Sequence, residues 1–401
     1  SVIQYTLDDW VYVPGYASVG NIGGYPYLNI SVFMTALQAI GKQRQDLLDM
    51  MESALYMNLP EGMEIPGVPI SRGASFSTLP NLLRVQLKLK LGERRFSGYL
   101  ADNHGWFSKT KDKLQKEQSG FGLLALWQEG IHPHIKRGVW TVLGASMSSS
   151  EYTAGLRKRL EALAGSEVAN LLIANISSRT GLLPSLGLIV GLNQVANGQM
   201  SRQAYLQQYG HRGPHEFELS KPRPSEDPGW MDAQIAHFHA SPVDFEGLQK
   251  KQKAAFDKAW ESFSSQYPDR AKAIRCQLEE SARRAMRREQ ARSEYVRDRW
   301  MIRLFALQAS ELSGLGEDIF FLTLEEVHQI LAGNLTATSQ IPKRQEFYRR
   351  CKNLPSYPSI IRGFFDPFQW AGGAEPRSDI YEEIPAAKKD TRASNLVTGA
   401  P

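Results

Sequence analysis

From Arg270 to Leu312 the chain runs "RAKAIRCQLEESARRAMRREQARSEYVRDRWMIRLFALQASEL" without one glycine or proline. Nothing in that run breaks a helical backbone, since the two residues that cost most in a helix interior are both missing. Val296, Trp300, Leu304 and Leu307, flanked by Met301 and Phe305, form one apolar stripe in its second half. Gly314 and Gly316 come next and end it. A rod of this length needs other helices to cover its stripe, so the spacing predicts a mainly α chain.

The remaining segments agree. "EYTAGLRKRLEALAGSEVANLLIANIS" places Leu156, Leu160, Leu163, Val168, Leu171 and Leu172 at three-and-four spacing. "VFMTALQAIG", "DLLDMMESALYM" and the apolar "GLLPSLGLIVGL" (Gly181–Leu192) also read as helix. The last is too short to span a bilayer and holds Pro184. "LPNLLRVQLKLKLGERRF" mixes helical and alternating periods, so its type stays open. "TLEEVHQILAG" opens a further helix, with Thr323 at the N-cap and Glu326 at the capping-box position. The Gly-, Tyr- and Pro-rich start, "VYVPGYASVGNIGGYPYLNIS", reads as loop with one or two short strands. The fold expected is a large irregular helical domain with a few short strands near the N-terminus. It should cover residues 1–387, with a subdivision near 200 left open. Residues 388–401, polar and small, read as a linker. Both ends look cut from something longer.

A net charge of +5, with 42% apolar residues, suits acidic small molecules or an acidic neighbouring domain better than a nucleic-acid surface. Cys276 and Cys351 lack the spacing of a zinc ribbon or disulfide scaffold. A cytoplasmic setting with no membrane span is expected. There is no P-loop, no dinucleotide fingerprint and no nucleophile elbow. "HEFEL" (His215–Leu219) begins like a zinc helix, but Leu219 stands where the second imidazole would be. The "HPH" at 132–134 and "HFH" at 237–239 read as surface or packing histidines, and no metal site is expected.

The densest chemistry is "YGHRGPHEFELSKPRPSEDPGW", Tyr209 to Trp230. Gly210 and Gly213 permit a tight path around His211 and Arg212, and Pro214 stiffens the backbone beyond them. Such a loop can hold imidazole, guanidinium and carboxylate heads at fixed distances. Arg212 or Arg223 could clamp an anion, while His211 or His215 could move a proton. The same residues equally suit a structural knot, with Arg and Glu heads paired internally to hold helices at a turn. On the long helix Arg284, Arg288, Arg292, Tyr295 and Arg299 share a face, as a phosphate-facing stripe or, more often for such a pattern, a solvated or partner-docking one.

This loop, with "RREQARSEYVRDRW", "GEDIFFLTLEEV", "YPSIIRGFFDP" and "NLVTGAP", resembles the central domain of the phosphoenolpyruvate-synthase-like dikinases. More narrowly it resembles the rifampicin phosphotransferases. "GYPYLNIS" is similar to the entry of the prodigiosin-condensing relatives. The likeness is strong from Tyr209 onward and thin between Ser31 and Met200. It implies a parent enzyme in which an ATP-grasp domain, using ATP and magnesium, phosphorylates a histidine on a swivelling domain. That histidine then delivers the phosphoryl group to a small-molecule hydroxyl held by the central domain. This chain would be the acceptor domain, inactive alone, with no cofactor of its own. The resemblance implies catalytic roles for His211, Arg212, His215 and Glu216. It implies substrate contacts from Glu218, Arg223, Arg284, Arg288, Arg292, Tyr295 and Arg299, with an apolar wall from Tyr16, Tyr25, Tyr27 and Trp106. A condensing ligase or a non-catalytic helical scaffold are the alternatives.

Overall fold

The computed structural model describes residues 16–38, 43–50, 63–69, 72–175, 184–240, 245–373 and 380–382. The chain divides into two compact units. One comprises residues 1–48, 58–87 and 309–401, and the other 49–57 and 88–308.

In the first unit, β1 (Val19–Ile22) and β2 (Tyr25–Leu28) form an antiparallel hairpin. Its two turn residues are Gly23 (φ 56°) and Gly24 (φ 96°), the left-handed backbone that a tight hairpin turn demands. Helices α1 (Ile30–Gln38) and α2 (Arg44–Met50) come after it. Residues 51–57 of the helix expected from Asp46 lie outside the described residues, as does the tail 388–401.

Helix α3 (Arg72–Lys116) absorbs the segment whose period was mixed, and its Val85 and Leu89 are buried. It leads into the second unit. There α4 (Gly120–Ala125), one π-helical turn (Leu126–Ile131) and α5 (His132–Asn175) come next. Gly165, at φ 83° and ψ 166°, breaks α5 into two rods. Then come α6 (Pro184–Ala196), α7 (Arg202–Tyr209), α8 (Trp230–Ala240), α9 (Phe245–Gln266) and α10 (Pro268–Ser313). The last is the expected rod, 46 residues and about 70 Å long.

Several apolar clusters among the described residues pack this unit. Leu156, Leu160 and Leu172 of α5 pack with Phe256 and Phe263 of α9 and with Ile274 and Leu278 of α10. A smaller core joins Leu192 and Val195 of α6, Tyr205 of α7 and Met231 of α8. The α10 stripe is buried as its spacing requires, with Val296, Met301 and Phe305 at 0% exposure. Close helix contact explains two glycines. A side chain at Gly92 of α3 would collide with the Trp140 carbonyl of α5, and one at Gly144 with the Leu89 carbonyl.

The first unit resumes after α10, which Gly314 (φ 71°) closes. Helix α11 (Leu324–Leu331) carries the capping box, with Thr323 Oγ1 accepting from the Glu326 amide and Glu326 accepting from the Thr323 amide. Arg344 of α12 (Ile341–Lys352) then pairs with Glu326. A second pair of short strands, β3 (Ile360–Arg362) and β4 (Ile380–Glu382), runs parallel on either side of α13 (Pro367–Ala371) in the chain.

Candidate functional site

The loop between α7 and α8 is held from within and from α10. Arg212 donates to Glu216 (2.6 Å), and Arg292 of α10 reaches the same carboxylate (3.1 Å). Arg223, 1% exposed, spends one nitrogen on the carbonyls of His215 (2.8 Å) and Glu218 (3.2 Å). Glu226 accepts from its own loop at the Arg223 amide, and from α10 through Trp300 Nε1 and Arg303 Nε. Arg299 and Arg303 cap the Phe217 and Leu219 carbonyls. The turn is tight enough that any side chain at Gly210 would strike Ser225 and the Leu206 carbonyl. The charged heads Arg212, Glu216 and Arg223 therefore face the protein itself. Arg212 and Glu216 neutralise each other, whereas Arg223 is held through Nη1 alone, its Nε and Nη2 being buried without a hydrogen-bond partner.

The arginine face of α10 divides in two. Arg284 donates to Glu280 and to Ser148 of α5 and lies over the Tyr152 ring, while Arg288 sits 3.6 Å from Glu289. Arg292 and Arg299 hold the loop, and Arg299 also reaches the Tyr295 hydroxyl. Tyr295 and Phe217 rings meet at 6.4 Å. His215, Phe217 and Glu218 are exposed, with Glu218 bonded to Ser220. Trp106 stacks on His134 at 3.6 Å and 7°. Tyr16, Tyr25 and Tyr27 belong to the first unit. Tyr25 packs on Tyr357, Tyr27 donates to the Pro358 carbonyl, and Tyr16 covers Val32 and Val68.

His211 differs from its neighbours. It is 1% exposed, and its Nε2 lies 2.9 Å from Ser293 Oγ of α10. Burial, with Arg297 and Arg212 nearby, holds its pKa well below the usual imidazole range, so the ring is neutral. Ser293 lies on the wall of an open cavity of about 890 Å³, lined by α6, α7 and α10 with His104 of α3. Tyr209, at the start of the loop, is on the same wall. Val190, Met200 and Met286 give it apolar surface, and Gln194, Gln207, Gln208 and Gln290 give it amides. Gly191 of α6 is packed against by the Tyr205 and Tyr209 rings.

Glu294 and Arg297, also on that wall, connect the cavity to a buried polar chain. Arg297 Nε donates to Glu294, and Asn103 Nδ2 of α3 donates to the same carboxylate (2.8 Å). Asn103 Oδ1 meets His134 Nε2 at 2.6 Å. His134 lies 3.9 Å from Asp298, which accepts from the Tyr99 hydroxyl at 2.7 Å. Burial pushes Asp298 up to about 8 and His134 down to about 4, so both are neutral at neutral pH. Gly138 makes room for the Asp298 carboxyl, where a Cβ would collide with it.

Sequence reasoning found the loop but missed Ser293, Glu294, Arg297 and Asp298. The available signal was a carboxylate, Asp298, set between apolar positions of the α10 stripe. His134 of the "HPH" motif packs inside, as expected of a packing histidine. Among the described residues no group of three or more His, Cys, Asp or Glu could hold a metal ion.

Residues 188–289 match the family model described as the rifampicin phosphotransferase fourth domain. No curated protein matches the chain. The matched segment contributes most of the cavity, from Val190 in α6 through Tyr209 to Met286 in α10.

Proposed function

We propose, on the match of residues 188–289 to the rifampicin phosphotransferase fourth domain, that the 890 Å³ cavity receives a small-molecule acceptor for phosphoryl transfer. The observation that carries the reading is Ser293 on the wall of a cavity lined mostly by the matched segment, with the buried His211 behind it at 2.9 Å.

Its volume suits a drug-sized ligand. Four glutamine amides with apolar patches favour a neutral molecule bearing hydroxyl and carbonyl groups, because each amide can both donate and accept. Transfer would break the bond between phosphorus and its donor and form a bond to the acceptor oxygen. As that bond forms, the acceptor hydroxyl passes its proton to Ser293 Oγ, and the Ser293 proton moves to His211 Nε2. With the ring proton on Nδ1, Nε2 is free to accept; because burial and Arg297 disfavour the charged ring, His211 would hold that proton only while transfer proceeds. Arg297 would offset charge on the transferring group. Arg212, Glu216 and Arg223 brace the loop so that His211 keeps its distance from Ser293.

The donor in this reading is a phosphohistidine on a swivelling domain of the parent protein, charged from ATP and magnesium by an ATP-grasp domain. The test is ATP-dependent modification of hydroxylated small molecules by the full-length protein, read by mass spectrometry. A phosphate ester is expected, with Ser293→Ala lowering its rate about a hundredfold or more at unchanged melting temperature. A coupled product of two molecules would instead favour the condensing ligase. An unaltered rate in Ser293→Ala would remove the proton path.

A further inference from the structure

Arg284, Arg292, Arg299 and Arg303 of α10 each commit a terminal nitrogen to the protein. Arg297 commits only its Nε, to Glu294, and its two Nη nitrogens make no hydrogen bond among the described residues. The Arg297 side chain is 8% exposed, yet those nitrogens are not sealed from solvent as the Nε atoms of Arg223 and Arg299 are. They open on the cavity that Arg297 lines. The guanidinium is fixed from behind. Glu294 is held by Asn103 of α3, itself 0% exposed, and the Phe107 ring lies 5.8 Å from the guanidinium carbon. His104, next to Asn103, is exposed, lines the same cavity and makes no hydrogen bond among the described residues. Both His104 and Arg297 lower the pKa of His211, so the three lie within electrostatic reach of one another. Ser293, four residues before Arg297, shares its face of α10. The charges at this end do not balance: three guanidinium groups, Arg212, Arg292 and Arg297, are held by two carboxylates, Glu216 and Glu294.

We propose that the Arg297–His104 end of the cavity is an oxyanion subsite that takes the phosphate group of the ligand. A guanidinium with both Nη nitrogens free matches two oxygens of a phosphate, and His104 adds a ring nitrogen from a different helix. The surplus positive charge calls for an anion at this end, whereas the glutamine amides elsewhere on the wall suit the neutral body of the ligand. One helical turn from Ser293 is also where a phosphoryl group stands once it is bonded to an acceptor oxygen held at that hydroxyl. The inference deepens the acceptor reading and rests on it for the kind of anion.

The test is a phosphorus NMR titration of inorganic phosphate with the intact chain, without ATP or acceptor, and with acetate as competitor. Phosphate should bind, and acetate should bind at least about tenfold more weakly. His104→Ala, at an exposed position where the fold should survive, should weaken phosphate at least about tenfold. Arg297→Lys, which keeps the charge and loses the fork, should do the same, and if its melting temperature falls, His104→Ala decides. The inference is overturned if phosphate does not bind, if acetate binds as well, or if His104→Ala binds phosphate equally. Phosphate held here by a protein that forms no ester would keep the subsite and remove the transfer reading. Ester formation without phosphate binding would do the reverse.

Discussion

At the scale of single residues, the buried contact between α5 and α10 holds two groups that resist ionisation, His134 and Asp298. Asp298 in the fold keeps its proton up to about 8, whereas the free side chain ionises near 3.8. Its contribution to stability is full below that lower value and is lost as pH rises through about 8. His134, held at about 4 against an ordinary 6.5, works in the opposite sense: its contribution is present above 6.5 and lost as pH falls through about 4. Between those limits the two slopes oppose each other. From about pH 6.5 to about pH 8 only the aspartate slope remains, near 1.4 kcal/mol per pH unit. Asp298→Asn should remove that decline, measured as the wild-type minus variant difference in denaturation midpoint at two pH values. A difference that does not change with pH would refute the assignment. Glu216 makes a second residue-level case, because it satisfies the buried Arg212. Glu216→Gln should cost about 3 kcal/mol in urea unfolding, by leaving that guanidinium without its counter-charge. Replacing both members, Arg212→Met with Glu216→Leu, should recover most of the loss. A double variant no more stable than Glu216→Gln would show that the pair does more than neutralise itself.

At the scale of elements, the helix crossing sets what each glycine of α3 tolerates. Gly92 faces the Trp140 backbone, while Gly98 of the same helix has nothing within 4 Å of where a Cβ would stand. Gly92→Ala should therefore destabilise by about 1–3 kcal/mol through overpacking. Gly98→Ala should stabilise by up to about 1 kcal/mol through helix propensity alone. Thermal denaturation of the two variants gives opposite signs if the crossing is as described, and equal signs if it is not. Local signals carried much of this level. The capping box at Thr323 and Glu326 was legible because both partners lie within three residues. The α10 rod was legible because nothing in it interrupts a helix. The type of the segment from Leu79 to Phe96 was not legible. Leu83 and Leu87 are exposed while Val85, Leu89 and Phe96 are buried, so the apolar residues do not mark one face.

For the whole molecule, the sequence by itself determined the helical class, the rod, the glycine-braced loop with its charge density, and the family likeness that the match at 188–289 bears out. These arise from backbone preferences, spacing and motif, which act over a few residues or along one element. It could not choose between a ligand-clamping loop and an internally paired one, because the same arginines and glutamates serve either. That choice was made by Arg292, Arg299, Trp300 and Arg303, which reach the loop from α10 about eighty positions away in the chain. The cavity, the neutral His211 beside Ser293, and the raised Asp298 were likewise decided by tertiary structure alone. Enclosure and desolvation depend on which helices meet, and no local pattern encodes that.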